Sequence, residues 1–350
     1  MGILDRSRIS RPGIRHLIDD LQDLRDQAAT EFFAAAENKV VDFPALWARV
    51  MDGNERWFRG DRPKDLLARN EMIFLARQHR CAVEFRARAL QARDPIPPEV
   101  LIRPVVAGGV QAEWEVVPGA SPNRVLLYFH GGGYIMGSPN FMRLLAVKLG
   151  RATRMRVLSV DYRLAPESPF PAGLDNCVAV YRWLLHEGIA PGDIFIAGDS
   201  AGGCFALMTL LRARDAGVPM PAGAIGLSPA TDLAATGPSY VENAPTDPVL
   251  ADLGFFWWLE AYLGGSDPFS PSVSPLYADL SGLPPILIQA STSEMLLDDA
   301  RMIHQRARDA GVDSVLQTWN DTIHVFHQFD LPESADALSQ IGEWVQRRAE

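Results

Sequence analysis

Ser200 stands in Gly198-Asp199-Ser200-Ala201-Gly202, a G-x-S-x-G pentapeptide. The residues before it, Asp193 to Ala197, read as a short buried strand; Gly203 to Arg214, rich in Ala and Leu, read as a helix. A strand, a tight glycine turn and a helix together lift a serine hydroxyl out at a sheet edge, where the first helical amides favour an oxyanion. Without that context the same five residues are an ordinary turn. A serine hydroxyl is a weak nucleophile at neutral pH. It needs a base, a group that orients the base, and donors for the oxygen that turns negative during acyl transfer.

Candidates for each part follow in chain order. The apolar run Arg124 to Phe129 reads as a core strand and ends in His130-Gly131-Gly132-Gly133-Tyr134. Missing Cβ atoms there let Gly131 and Gly132 bring their amides close to a carbonyl, with the Ala201 N–H as third donor; the plainer reading is a flexible turn. His130 comes too early to be the base and reads as a loop anchor. The base is expected at His324, on the loop Trp319 to Phe326 between a strand (Asp313 to Trp319) and the final helix. His327 is the alternative, better suited to packing or capping, and His304 falls in a helical pattern (Ala300 to Ala310) as a solvated face. The orienting acid should follow the strand Pro285 to Ala290. Glu294 lies on that loop, and Asp298 is the runner-up. Asp298 and Asp299 come one turn later, where acids also suit a helix N-terminus.

The elements that must position these groups alternate from Val125 onward. Strands are expected at Val125–Phe129, Arg156–Val160, Ile194–Ala197, Gly223–Leu227, Ile286–Gln289 and Ser314–Trp319, with helices between them. That order implies an α/β fold with a mostly parallel sheet covered on both faces. Before it, two strands flank Ala107-Gly108-Gly109 as a hairpin, and residues 14–92 are helical, with an amphipathic spacing through Leu17, Leu21, Leu24, Ala28 and Phe32. The division expected is a helical region over 1–94 that forms part of a cap, then a catalytic domain over 95–350 with a cap insertion at about 232–275. Within that insertion Phe255, Phe256, Trp257, Trp258 and Tyr262 could line a pocket or simply pack.

Together these blocks resemble the hormone-sensitive lipase family of α/β-hydrolases, in its bacterial carboxylesterase branch. The matching residues are His130-Gly131-Gly132-Gly133, Asp161 to Glu167, Gly198 to Gly203, Glu294 to Asp299 and Ile323 to Phe326, and the resemblance runs from about Pro95 to the C-terminus. It implies the α/β-hydrolase fold with a helical cap, Ser200 as nucleophile, His324 as base, and Gly131, Gly132 and Ala201 as oxyanion donors. Expected substrates are uncharged short- to medium-chain acyl esters. The family more often carries Asp where this chain has Glu294, so the acid stays open between Glu294 and Asp298. The Asp161 to Glu167 block reads as structural, with Arg163 and Glu167 bracing the glycine loop. A homodimer through antiparallel pairing of the last strands is the family analogy. Two other readings are a lactone hydrolase on the same machinery and a non-catalytic small-molecule binding protein on the hydrolase scaffold, like plant hormone receptors that have lost the base.

Composition narrows the alternatives. The net charge of −10 over 350 residues argues against nucleic-acid binding and gives no support to docking on anionic membranes. Met1 to Arg15 carries charges throughout and lacks the apolar core of a secretory signal, and no stretch has the length of a spanning helix. Cys81, Cys177 and Cys204 lack metal-ligand spacing and read as reduced, mostly buried thiols, in keeping with a cytoplasmic protein. Neither a metal nor an organic cofactor is needed by the expected chemistry.

Overall fold

Val125, Leu126, Leu127, Tyr128 and Phe129 are all fully buried, so the strand they form lies at the centre of the molecule. Its side chains divide with period two: Val125, Leu127 and Phe129 enter one hydrophobic cluster, Leu126 and Tyr128 another. A strand covered on both faces must be apolar on both, which is why this run does not alternate with polar residues. Each such side chain stabilises the fold by about 1.5–3 kcal/mol. This computed structural model describes residues 5–9, 11–35, 38, 41–59, 61, 65–251 and 254–348.

The described strands are β1 (Leu101–Ala107), β2 (Val110–Val116), β3 (Ser121–Phe129), β4 (Met155–Val160), β5 (Ile194–Asp199), β6 (Gly223–Leu227), β7 (Ile286–Ser291) and β8 (Ser314–Trp319). They form one sheet in the order β1-β2-β4-β3-β5-β6-β7-β8. The β1–β2 hairpin is antiparallel and closes Ala107 onto Val110, with Gly108 and Gly109 both at positive φ in its two-residue turn. β2 meets β4 antiparallel, and every pair from β4 through β3 to β8 is parallel.

The helices are α1 (Pro12–Ala34), α2 (Phe43–Phe58), α3 (Arg69–Arg93), α4 (Pro139–Thr153), α5 (Ala172–His186), α6 (Ala201–Asp215), α7 (Ser239–Glu242), α8 (Phe255–Leu263), α9 (Leu297–Asp309) and α10 (Pro332–Gln346). Leu145 and Leu149 of α4 with Ile341 and Trp344 of α10 cover one sheet face; α5, α6 and α9 cover the other. Ser138 caps α4 by accepting from the Phe141 N–H at 3.1 Å, and Pro139 supplies the fixed φ of a first helical turn. The amphipathic stripe of α1 turns Ile14 and Ile18 onto Ile323 and Phe326, beside the expected base. Leu46 and Val50 of α2 and Leu75 of α3 join the cluster that holds α8.

The strands fall where the sequence puts them, with β3 starting four residues earlier than Val125. Phe255, Phe256, Trp257, Trp258 and Tyr262 are buried, and of these only Trp258 reaches the cavity over Ser200; the others pack. His304 is half-buried rather than solvated: its Nδ1 lies 2.9 Å from Ser314 Oγ, because the face of α9 that bears it leans on β8. Cys177 and Cys204 are buried and Cys81 half-buried, all free thiols. No helix among the described residues is long and apolar enough to cross a membrane.

Candidate active site

β3 and β5 are neighbours whose following segments diverge, one into the glycine loop and α4, the other into α6. A crevice opens at such a point beyond the carboxyl ends of the strands. Ser200 follows β5 with φ +53° and ψ −119°, a strained conformation for a residue with a side chain. The turn is held by the Ser200 N–H donating to Leu227 O at 2.8 Å and the Ala230 N–H donating to Ser200 O at 3.0 Å. A Cβ on Gly202 would stand 2.0 Å from Phe129 O, so the helix can start this close to β3 only with glycine there.

β7 and β8 bring Glu294 and His324 together. His324 Nδ1 lies 2.6 Å from Glu294 Oε2, and both side chains are buried. Glu294 Oε1 also accepts the Ser291 N–H at 2.9 Å, which fixes the carboxylate plane. With Nδ1 donating to a carboxylate, Nε2 is the bare ring nitrogen, and it has no hydrogen-bond partner among the described residues. Burial raises the Glu294 pKa, opposed by its bond to His324. Burial alone would lower His324, but Glu294, with help from Asp247 and Asp199, raises it above its ordinary value.

Asp298 points elsewhere. It accepts the Ser239 N–H at 2.8 Å and pairs with Arg301 at 3.1 Å, while Asp299 accepts the N–H groups of Thr231 and Asp232 at 2.6 and 2.8 Å. His327 is a core residue: its Nε2 meets Gln289 Oε1 at 3.1 Å, and burial pulls its pKa down to about 3. Gln289 Nε2 donates to Gln317 and Ala337, so its oxygen must accept and the His327 proton sits on Nε2.

The glycine loop departs from expectation in one respect. The N–H of Gly131, expected as an oxyanion donor, is spent on Asp199 Oδ1 at 2.9 Å. Gly132 and Gly133 line the cavity instead, and no protein acceptor takes the N–H of Gly132, Gly133 or Ala201 among the described residues. Gly132 has φ +122°, open only to glycine, which turns the chain so that successive amides face the same space. His130 is the anchor: its Nδ1 lies 2.8 Å from Gly131 O, and its ring stacks on Tyr162 at 4.2 Å. Burial lowers its pKa to about 4, so it is neutral.

Bracing of this loop is only partly as the sequence suggests. Arg163 does not reach it; its guanidinium goes to Asn176 and Ala172 O of α5, tying down its own turn. Tyr162 does reach it, donating to His130 O at 2.5 Å. Glu167 acts through Arg80 of α3, which holds the carboxylate bidentately at 2.7 and 2.8 Å and donates to Ile135 O at 2.7 Å. Asp199 was missed because a carboxylate inside a glycine turn reads as a turn former. Asp247 was missed because it lies in the insertion without a motif. It accepts from Val249, Leu250 and Met295 and so ties the insertion to the Glu294 loop.

A cavity of about 1100 Å³ stands over these groups. Ser200, His324, Gly132 and Gly133 form its floor, α1 and α2 contribute Ile18, Trp47 and Met51 to its walls, and α3 contributes Arg86. This is at the upper end of small-molecule sites, which span about 300–1,000 Å³. Among the described residues no cluster of three or more His, Cys, Asp or Glu side chains could hold a metal ion.

Fold and site together define an α/β-hydrolase. The family described by the alpha/beta hydrolase fold matches residues 126–328. The chain is 43% identical over 243 residues to an acetyl-hydrolase of Streptomyces hygroscopicus, covering 69% of this chain and 81% of that protein. It is 38% identical over 254 residues to an esterase of Acinetobacter venetianus, covering 72% and 84%. A solved esterase of the bacterial hormone-sensitive lipase family superposes with a TM-score of 0.75 at 40% identity, over 80% of this chain and 98% of that one. The chain belongs to the bacterial hormone-sensitive lipase family of α/β-hydrolases, and is a hydrolase of the carboxylesterase type.

Proposed function

We propose that the chain hydrolyses short- to medium-chain acyl esters through an acyl-enzyme. Ser200 Oγ attacks the ester carbonyl carbon while His324 Nε2 takes its proton, and Glu294 orients the imidazole and stabilises its positive charge. The carbonyl oxygen becomes an oxyanion and accepts from the N–H groups of Gly132, Gly133 and Ala201. As the carbon–oxygen bond to the alcohol breaks, His324 gives its proton to the departing oxygen. Water then attacks the acyl-enzyme with His324 again as base, and the acid leaves with Ser200 restored.

The observation that carries this reading is the 2.6 Å Glu294–His324 contact, with the opposite ring nitrogen without a partner among the described residues and both His324 and the strained Ser200 lining one cavity. The helices over 1–94 and the insertion at about 232–275 act as the cap, excluding water from the acyl-enzyme step. β8 ends the sheet order, and antiparallel pairing of its outer edge with a second copy would give a homodimer. Hydrolysis of p-nitrophenyl esters from acetate to palmitate by wild type and Ser200→Ala tests the proposal. Turnover that needs Ser200 is expected, and its best chain length sizes the acyl site. A folded wild type inactive along the whole series would overturn it.

A further inference from the structure

Arg86 is a half-buried cation in the wall of the cavity. Its Nη2 donates to Gln328 Oε1 at 2.7 Å, its guanidinium carbon stands 4.8 Å from the Phe141 ring centroid, and its Nε is enclosed without a partner. No ion pair to Arg86 is formed among the described residues. The contrast on the same helix is plain: Arg80 holds Glu167 through two bonds, and Arg88 holds Glu31 at 3.0 Å. Burial lowers the Arg86 pKa to about 10, with the charge of Asp199 opposing the drop, so the side chain is a cation at neutral pH.

Partial enclosure of a guanidinium carries a desolvation cost unless something matches its charge and its donors. An aromatic face and one amide oxygen offset part of that cost and leave the fork incomplete. A tie between α3 and the segment after His324 would be made as well by a neutral side chain. Arginine differs from a neutral tie in its planar, always-charged fork, which fits a carboxylate bidentately. Of the acidic residues lining the cavity, Asp199 is buried, acts on Arg86 by its charge alone and accepts from Tyr128 and Gly131. Asp26, Asp52 and Glu55 are exposed, the last two pairing with Arg56 and Arg59. Water and salt screen the three exposed carboxylates from an anion bound deeper.

We infer that Arg86 selects esters that carry a second, ionised carboxylate, on either the acyl or the alcohol part, and pairs with it while the ester carbonyl sits at Ser200. This rests on the esterase reading and adds a substrate class to it: half-esters of dicarboxylic acids, or acyl esters of hydroxy acids.

Two matched pairs of esters separate the cases. Ethyl hydrogen adipate against ethyl hexanoate places the carboxylate on the acyl part; 4-acetoxybutanoate against butyl acetate places it on the alcohol part. In at least one pair, Arg86→Met should lower the charged-to-neutral ratio of kcat/KM about ten-fold or more, chiefly through KM, and Arg86→Lys should recover part of it. A ratio unchanged in both pairs, including equal losses on all four esters, would overturn the proposal and leave Arg86 as a tie. Calorimetric binding of ethyl hydrogen adipate and 4-acetoxybutanoate to Ser200→Ala, with and without Arg86→Met, reads the same contact without turnover. At least one should bind about ten-fold more weakly to the double variant; equal binding of both would overturn the proposal. Absence of turnover on the neutral esters by wild type counts against the esterase reading alone, because the binding measurement still decides on Arg86.

Discussion

The N–H of Gly131 donates to Asp199 Oδ1, so the residue next to Ser200 holds the glycine loop. Tyr128 O–H donates to the same oxygen from inside the sheet. Asp199→Ala would leave two buried donors without an acceptor, at about 1–3 kcal/mol each. The expected result is a lower melting temperature and a kcat reduced about ten- to hundred-fold as the glycine loop drifts. Asp199→Asn keeps an acceptor oxygen and should lose less. Equal kcat in wild type and Asp199→Ala would show that the loop holds its place without Asp199.

Ser200→Ala should reduce ester turnover by about a thousand-fold or more and leave the circular dichroism spectrum unchanged. The strained φ of +53° is set by the glycine turn, so removing the hydroxyl does not relax the backbone. Retained turnover would move the nucleophile elsewhere.

Glu294→Gln and Asp298→Asn discriminate the two carboxylates of the acid loop. Removing the charge that holds His324 should cost about a thousand- to ten-thousand-fold in kcat. Asp298 serves Ser239 and Arg301, so its amide variant should lose melting temperature more than activity. Steady-state kinetics and thermal melts on both variants decide, and the reverse order would transfer the role to Asp298.

Two pH effects of opposite origin are expected. His324 is raised above the ordinary 6.5 and must be neutral to take the serine proton, so kcat/KM should rise with pH through a midpoint above 6.5. Without the Glu294 charge, the residual activity of Glu294→Gln should show that midpoint at lower pH. His327 is lowered to about 3, so between that value and 6.5 the unfolded chain binds the proton and the folded one does not. Stability should therefore fall as pH drops below 6.5. His327→Phe should flatten that fall in a series of melts from pH 7.5 to 5; His130, also lowered, adds slope in the same direction, and Asp199, raised to about 6 by burial, opposes it.

Much of this was legible in the chain because the motifs are local. The strand before Ser200, the helix after it and the position of His324 on its loop each lie within a dozen residues of the group they position. What stayed hidden depends on contacts distant in sequence. Three consecutive glycines do not say which amides are free; that is decided by Asp199, 68 residues beyond Gly131. Arg163 and Arg80 both carry the charge that could brace the loop, and only their positions on α5's turn and on α3 choose between them. Helical periodicity showed that α1 has an apolar stripe but not that the stripe would lie on Ile323 and Phe326. Glu294 and Asp298 differ by about one helical turn, and only the fold shows that it is Glu294 that contacts His324.

The sheet order has a consequence for how the molecule comes into being. The glycine loop, Ser200, Glu294 and His324 follow β3, β5, β7 and β8 in turn, so they are synthesised in sheet order and His324 arrives with the last strand. Parallel pairing between strands so distant in sequence is slow to form, because loop closure precedes its reward. A nascent or refolding chain can hold β3 to β6 and their helices in place and still lack a proton acceptor for Ser200. Recovered hydrolysis after dilution from denaturant should thus lag the recovery of helical signal, and on the proposed mechanism a chain released before residue 324 should be inert.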